Sequence, residues 1–106
     1  MNAERIKTLE QFYDDNPRDA FTIYALALEY ASSDRAKAER LFELLLTDFE
    51  DYIPTYYQAT AFYISVENET RAIAIAKKGI EKAKAAKEMK TAGELMSLLD
   101  TIDDGL

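Results

Sequence analysis

The chain has 106 residues, including seven Tyr, five Phe, three Gly and two Pro, but no Cys, His or Trp. That length fits one domain, and without disulfides the fold must rest on its core. Zinc, blue-copper, haem and iron–sulfur sites lose their usual ligands, and Ser–His, Cys–His and zinc-peptidase mechanisms lose their base or nucleophile. A net charge of −7, from 20 acids and 13 bases, disfavours a general nucleic-acid or anionic-membrane binder.

The charge is uneven: residues 1–70 carry −8, residues 71–90 carry +5 and residues 91–106 carry −4. No apolar run reaches the ~18–20 residues of a membrane span. Met1-Asn2-Ala3-Glu4-Arg5 leads into no apolar stretch, so no signal peptide is expected. A soluble cytoplasmic protein is the default expectation.

Apolar residues recur every three or four positions, which predicts helices throughout. The first, about 2–15, places Ile6, Leu9 and Phe12 on one stripe and ends at Asn16-Pro17, since a residue before Pro is pushed out of α geometry. Asp19 is placed to cap the second helix, about 19–32, which is apolar nearly all round. Ser32-Ser33-Asp34 breaks it and caps the third, about 34–48, whose stripe is Ala38, Leu41, Phe42, Leu45 and Phe49.

Pro54 suits the first turn of the fourth helix, about 53–66, where no N–H partner is needed. Tyr56, Tyr57, Ala59, Ala61, Phe62, Tyr63, Ile64 and Val66 surround that helix. Glu67-Asn68 precedes a fifth, about 69–85, with Ala72, Ile75, Ala76, Gly79, Ile80 and Ala83 facing inward. The sixth, about 89–103, buries some of Met89, Ala92, Leu95, Met96, Leu99 and Ile102. Ala85-Ala86-Lys87-Glu88 are all good helix formers, so the sequence marks the break there only weakly.

Helices that are apolar on several sides alternate with amphipathic ones, which points to a repeat. At an offset of 33, Tyr24 meets Tyr57, Tyr30 meets Tyr63 and Ser32 meets Ser65. Beyond the turn the offset becomes 34, and Ala38 meets Ala72, Leu41 meets Ile75 and Leu46 meets Ile80. One turn is therefore a residue shorter than the other.

At these residues the chain resembles the tetratricopeptide-repeat family. Its first-helix pattern of a large residue, a leucine–small pair and an aromatic is matched by Ile23, Leu26-Ala27 and Tyr30, then by Tyr56, Ala59-Thr60 and Tyr63. Its second-helix pattern is matched by Ala38, Phe42 and Leu45, then by Ala72, Ala76 and Gly79, and its closing Pro by Pro17. The family's usual Trp, usual Gly and two closing Pro are absent.

The resemblance implies an all-α superhelix of about six antiparallel helices, similar to short bacterial proteins of two units plus caps. Residues 1–17 would be an N-terminal half-repeat, 19–49 and 53–85 the two repeats, and 86–106 a C-terminal capping helix, all in one domain. It also implies a non-enzymatic module that binds a protein or peptide on a concave face. The groove positions on that face would be Phe21, Tyr24, Leu28 and Ala31, then Tyr57, Gln58, Ala61 and Ile64. Tyr suits recognition, because its ring is buried while its hydroxyl still finds a partner. The alternative reading, which does not exclude binding, is that the terminal helix or a second copy of the chain covers the same face.

Family members that clamp a C-terminal carboxylate use Lys, Arg and Asn on this face, so that activity is not implied here. No cofactor and no metal are expected. The basic run Arg71, Lys77, Lys78, Lys82, Lys84, Lys87 and Lys90 reads as a solvated outer face, with Arg71, Lys78 and Lys82 sharing one side, rather than as an acidic-partner or nucleic-acid site. The pairs Asp14-Asp15, Glu50-Asp51 and Asp103-Asp104 diverge on helix ends and make no carboxylate dyad. Leu98, Leu99, Ile102 and Leu106 would make a sticky end suited to a homodimer.

Ala38 and Ala72 are small where helices should cross closely. Ala72→Leu is therefore expected to destabilise by about 1–3 kcal/mol through overpacking. An unchanged melting temperature would count against that crossing.

Overall fold

Four of the six helices begin where an Asn or Asp side chain caps the first orphan N–H groups or where a proline needs no N–H partner. In the computed structural model, which describes residues 2–102, there are six helices. They are α1 (Ala3–Asp15), α2 (Ala20–Tyr30), α3 (Arg35–Asp48), α4 (Pro54–Ser65), α5 (Glu69–Ala85) and α6 (Met89–Asp100). Among the described residues there is no strand, and no helix is long and apolar enough to cross a membrane. The chain divides between Tyr52 and Ile53 into two units, a boundary that falls between the two sequence repeats.

In the first unit α2 packs against both α1 and α3. Asn2 caps α1 by accepting from the Arg5 N–H at 3.1 Å, and α1 closes at Asn16, just before Pro17. The predicted stripe of α1 is corrected. Leu9 is buried and Tyr13 half-buried, while Phe12 is 55% exposed. Residues four apart share a helix face more closely than the predicted threefold steps do, so Leu9 brings Tyr13 inward instead. Tyr30 then donates its phenolic hydrogen to Glu10 on α1, and Arg5 pairs with Glu29 at 2.7 Å.

The predicted cap of α2 is also corrected. Asp19 occupies the capping position but makes no side-chain bond to a backbone N–H. Its Oδ2 instead accepts from the Thr22 hydroxyl at 2.6 Å, a side-chain donor one turn along that outcompetes the backbone. Asp34 does cap α3, accepting from the Lys37 N–H at 3.2 Å. Ala38, Phe42, Leu45 and Leu46 are buried on α3, and Leu41 and Phe49 are half-buried.

In the second unit α4 packs on α5 and α6, and α5 packs on α6. Pro54 sits in the first turn of α4, and Asn68 caps α5 through the Arg71 N–H at 3.2 Å. The C-terminal ends of α4 and α5 close in the same way. The N–H of Asn68 reaches the Tyr63 carbonyl at 2.8 Å and that of Glu67 reaches Ile64 at 3.0 Å. Twenty residues on, Glu88 reaches Ala83 at 2.8 Å and Lys87 reaches Lys84 at 3.0 Å.

These are Schellman closures, which require a left-handed residue. Glu67 (φ 61°) and Lys87 (φ 62°) supply it, although each bears a Cβ. The closure at Lys87 is what breaks the helix-favouring run at 86–88. On α6, Ala92 and Leu95 are buried, whereas Met89 is 61% and Met96 46% exposed. Asp103, Asp104 and Leu106 lie outside the described residues.

The two turns that join first to second helices explain the change of repeat offset. In the first unit the Asp34 N–H bonds to the Tyr30 carbonyl at 2.8 Å, across four residues. In the second, Asn68 bonds to the matching Tyr63 carbonyl across five, and the additional residue is the left-handed Glu67. Each capped helix then lays a cation over the same tyrosine: Lys37 lies 5.1 Å from the Tyr30 ring centre, and Arg71 lies 5.9 Å from that of Tyr63.

Two helical glycines separate packing from propensity. A Cβ at Gly79 would lie 2.5 Å from Tyr56 Cβ and 2.9 Å from Leu95 Cδ1, whereas a Cβ at Gly93 would have nothing within 4 Å. Gly93→Ala should therefore stabilise by about 1 kcal/mol through helix propensity alone. Gly79→Ala should destabilise, because overpacking of roughly 1–3 kcal/mol exceeds that same gain. Thermal unfolding of the two variants should move in opposite directions; shifts of the same sign would show that α4 yields freely over Gly79.

Candidate functional site

The inward faces of α2 and α4 are closed. Ile23, Leu26, Ala27 and Tyr30 are buried on α2, as are Tyr56, Ala59, Thr60 and Tyr63 on α4. All eight expected groove positions lie off these faces. On α2, Phe21 is 60% exposed, Leu28 is also exposed, and Tyr24 and Ala31 are half-buried. On α4, Tyr57 is 38% exposed, and Gln58, Ala61 and Ile64 are half-buried. Each helix thus carries an apolar, tyrosine-bearing strip that the rest of the chain leaves partly accessible.

Helix geometry produces these strips. Successive residues turn by about 100°, so a buried row at Ile23, Leu26, Ala27 and Tyr30 turns Phe21, Tyr24 and Leu28 away from it. The same holds for Tyr57, Ala61 and Ile64 beside Tyr56, Ala59 and Tyr63. The Thr60 hydroxyl returns to the Tyr56 carbonyl at 2.7 Å, so its burial leaves no orphan.

Tyr52 belongs with the α2 strip and the sequence reading passes over it. Its ring meets Tyr24 edge-on, with centres 5.7 Å apart and planes at 61°. Tyr52 lies in the segment between α3 and α4, where no helical period exists to assign it a face. Burial raises its phenol above the usual 10.0, reinforced by the nearby Tyr24 and Asp19.

The basic run divides. Lys77, Lys84, Lys87 and Lys90 are exposed, as expected of a solvated face. Arg71, Lys78 and Lys82, which share one side, are half-buried. Arg71 lies over the Tyr63 ring, so the expectation of a solvated outer face is corrected for this residue. An aromatic from the preceding helix reaches it across the turn.

The first unit also holds a cleft of about 300 Å³ between α1, α2 and α3, walled by Tyr13, Tyr30, Leu26 and Leu41. Glu10 and Asp14 enter it from α1, and Lys37 and Arg40 from α3. Two acids and two bases leave it no net charge with which to select an ion. Among the described residues no three carboxylates come together to hold a metal. No family model, curated protein or solved structure matches the chain.

The Tyr52 environment sets a pH test. Its hydroxyl ionises at 10.0 in the unfolded chain and higher in the folded one, so above 10.0 the folded state holds the extra proton. Stability then falls as pH rises from 10.0 through the folded value. Tyr52→Phe should lose less stability over that alkaline window than wild type, measured by urea unfolding; identical losses would contradict a raised phenol at this half-buried position.

Proposed function

We propose that this chain is a non-enzymatic, tetratricopeptide-like interaction module that binds a protein or peptide through the strips on α2 and α4. The observation that carries the reading is the matched placement of Tyr24 and Tyr57, the first half-buried and the second exposed. They share a repeat register, each beside a fully closed face, and neither is drawn into the core. Tyrosine at such a position offers a large rigid ring with a hydrogen-bonding tip, at low cost in side-chain entropy. An apolar strip with polar tips suits an extended segment or an amphipathic helix.

A self-associating subunit is the second reading, favoured by the exposed Met89 and Met96 on α6. Unbranched, polarizable Met side chains suit an adaptable apolar contact. Light scattering that changes with concentration would support it. A monomer at every concentration would leave the strips for another partner.

The direct test replaces both tyrosines, Tyr24→Ala with Tyr57→Ala, and compares captured partners with wild type. Because both residues are partly exposed, the variant should fold, as circular dichroism can confirm. Partners held by the strips should be lost or weakened at least about tenfold, equivalent to roughly 1.4 kcal/mol. Unchanged capture by a folded variant would remove the strips from the function.

A further inference from the structure

We propose that the cleft between α1, α2 and α3 binds a small zwitterion with an apolar body, of the amino-acid or dipeptide class. Its volume of about 300 Å³ lies at the lower end of the roughly 300–1,000 Å³ of ligand pockets, which suits a molecule of that size. The site is separate from the tyrosine strips, because it opens over Leu26 and Tyr30, which belong to the inward row of α2.

The charges of the cleft are sorted by wall. Glu10 and Asp14 stand four residues apart on α1, and Lys37 and Arg40 three apart on α3, so each pair shares one helix face. One wall is therefore anionic and the other cationic. Among the described residues no ion pair joins the two walls, and the Asp14 and Arg40 side chains have no hydrogen-bond or ion-pair partner.

Tyr30 positions the other two charges. Its hydroxyl donates to Glu10, and Lys37 lies 5.1 Å from its ring centre. One buried side chain thus restrains one acid and one base, which lowers the ordering cost of binding. Glu10 keeps acceptor sites beyond the one that Tyr30 uses, and Lys37 keeps its three N–H donors.

A lone cation or anion is drawn to one wall and opposed by the other. A zwitterion satisfies both, with its ammonium toward Glu10 and Asp14 and its carboxylate toward Lys37 and the Arg40 fork. Its apolar body then covers Leu26, Leu41 and the Tyr13 ring and displaces water from them. A ligand that lacks either charge leaves one wall without a partner.

The test follows the leucine methyl signals of the isotope-labelled full chain by NMR. Free leucine and leucyl-leucine are the zwitterionic probes. Isoamylamine and isocaproate carry the leucine side chain with one charge each. At least one zwitterion should shift Leu26 and Leu41 saturably and bind at least about tenfold more tightly than either single-charge analogue. The tighter of the two zwitterions reports whether the charges sit on one carbon or across a peptide unit. Asp14→Asn with Arg40→Gln should remove most of the preference over the analogues. Asp15→Asn with Arg35→Gln, equally exposed positions that do not line the cleft, should keep it.

Unmoved Leu26 and Leu41 signals with both zwitterions would overturn the site. Single-charge analogues that bind as tightly as the zwitterions would overturn the ligand class. An equal loss of preference in the two double variants would overturn the two-wall arrangement in favour of diffuse charge. None of these outcomes bears on the strips, which the double tyrosine variant tests separately.

Discussion

Tyr56 lies over Gly79, and only a residue without a side chain fits beneath it. The space a Cβ would need is taken by Tyr56 and by Leu95 of α6, so one small position on α5 holds both of its neighbours close. The orientation of α4 follows. With Tyr56 fully buried, the roughly 100° step along the helix carries Tyr57 off the core and brings Ala59, Thr60 and Tyr63 back to it. The exposed strip of α4 is the remainder left by that packing. The exposure of this face is thereby tied to a glycine on another helix.

The first unit meets the same constraint with the volumes redistributed. Ile23 stands at the register of Tyr56, and Leu45 at that of Gly79, and both are fully buried. A smaller side chain on the first helix permits a larger one on the second, which holds the core close-packed. What repeats strictly is the corner: a buried tyrosine, a capping Asp34 or Asn68, and a Lys37 or Arg71 over the ring. The second unit inserts Glu67 there, in a left-handed conformation that costs a residue with a Cβ about 1–2 kcal/mol. The pair of Schellman hydrogen bonds and the capped start of α5 offset that strain.

The helices were legible because apolar residues recur at helical spacing, and Asn, Asp or Pro stands at the start of α1 to α5. The change of offset from 33 to 34 placed an additional residue in one turn, and Glu67 is that residue. Phe12 was misread because Leu9 admits two continuations, and only the packing of α1 on α2 chooses Tyr13. Asp19 was assigned a backbone partner because composition does not reveal that the Thr22 hydroxyl is closer. Lys87 escaped notice because left-handed closures favour glycine, and nothing in a lysine advertises one. At the site, the family resemblance named the eight strip residues, of which Phe21, Leu28 and Tyr57 are exposed and the other five half-buried, whereas Tyr52 lies in a linker where periodicity is silent.

The charge of the first unit acquires a direction from these contacts. Residues 1–52 contain twelve acids and six bases, and three of those bases are engaged within the unit. Arg5 is held by Glu29, Arg18 by Asp48 and Phe49, and Lys37 lies over Tyr30. Arginine and lysine used in this way cover ring faces and steady helix ends, and they neutralise little beyond their own partners. The excess of carboxylate is therefore felt at the surface of the unit. A surface of that sign attracts cationic segments and repels anionic ones before any contact is made, so charge and shape act on an approaching molecule at different ranges.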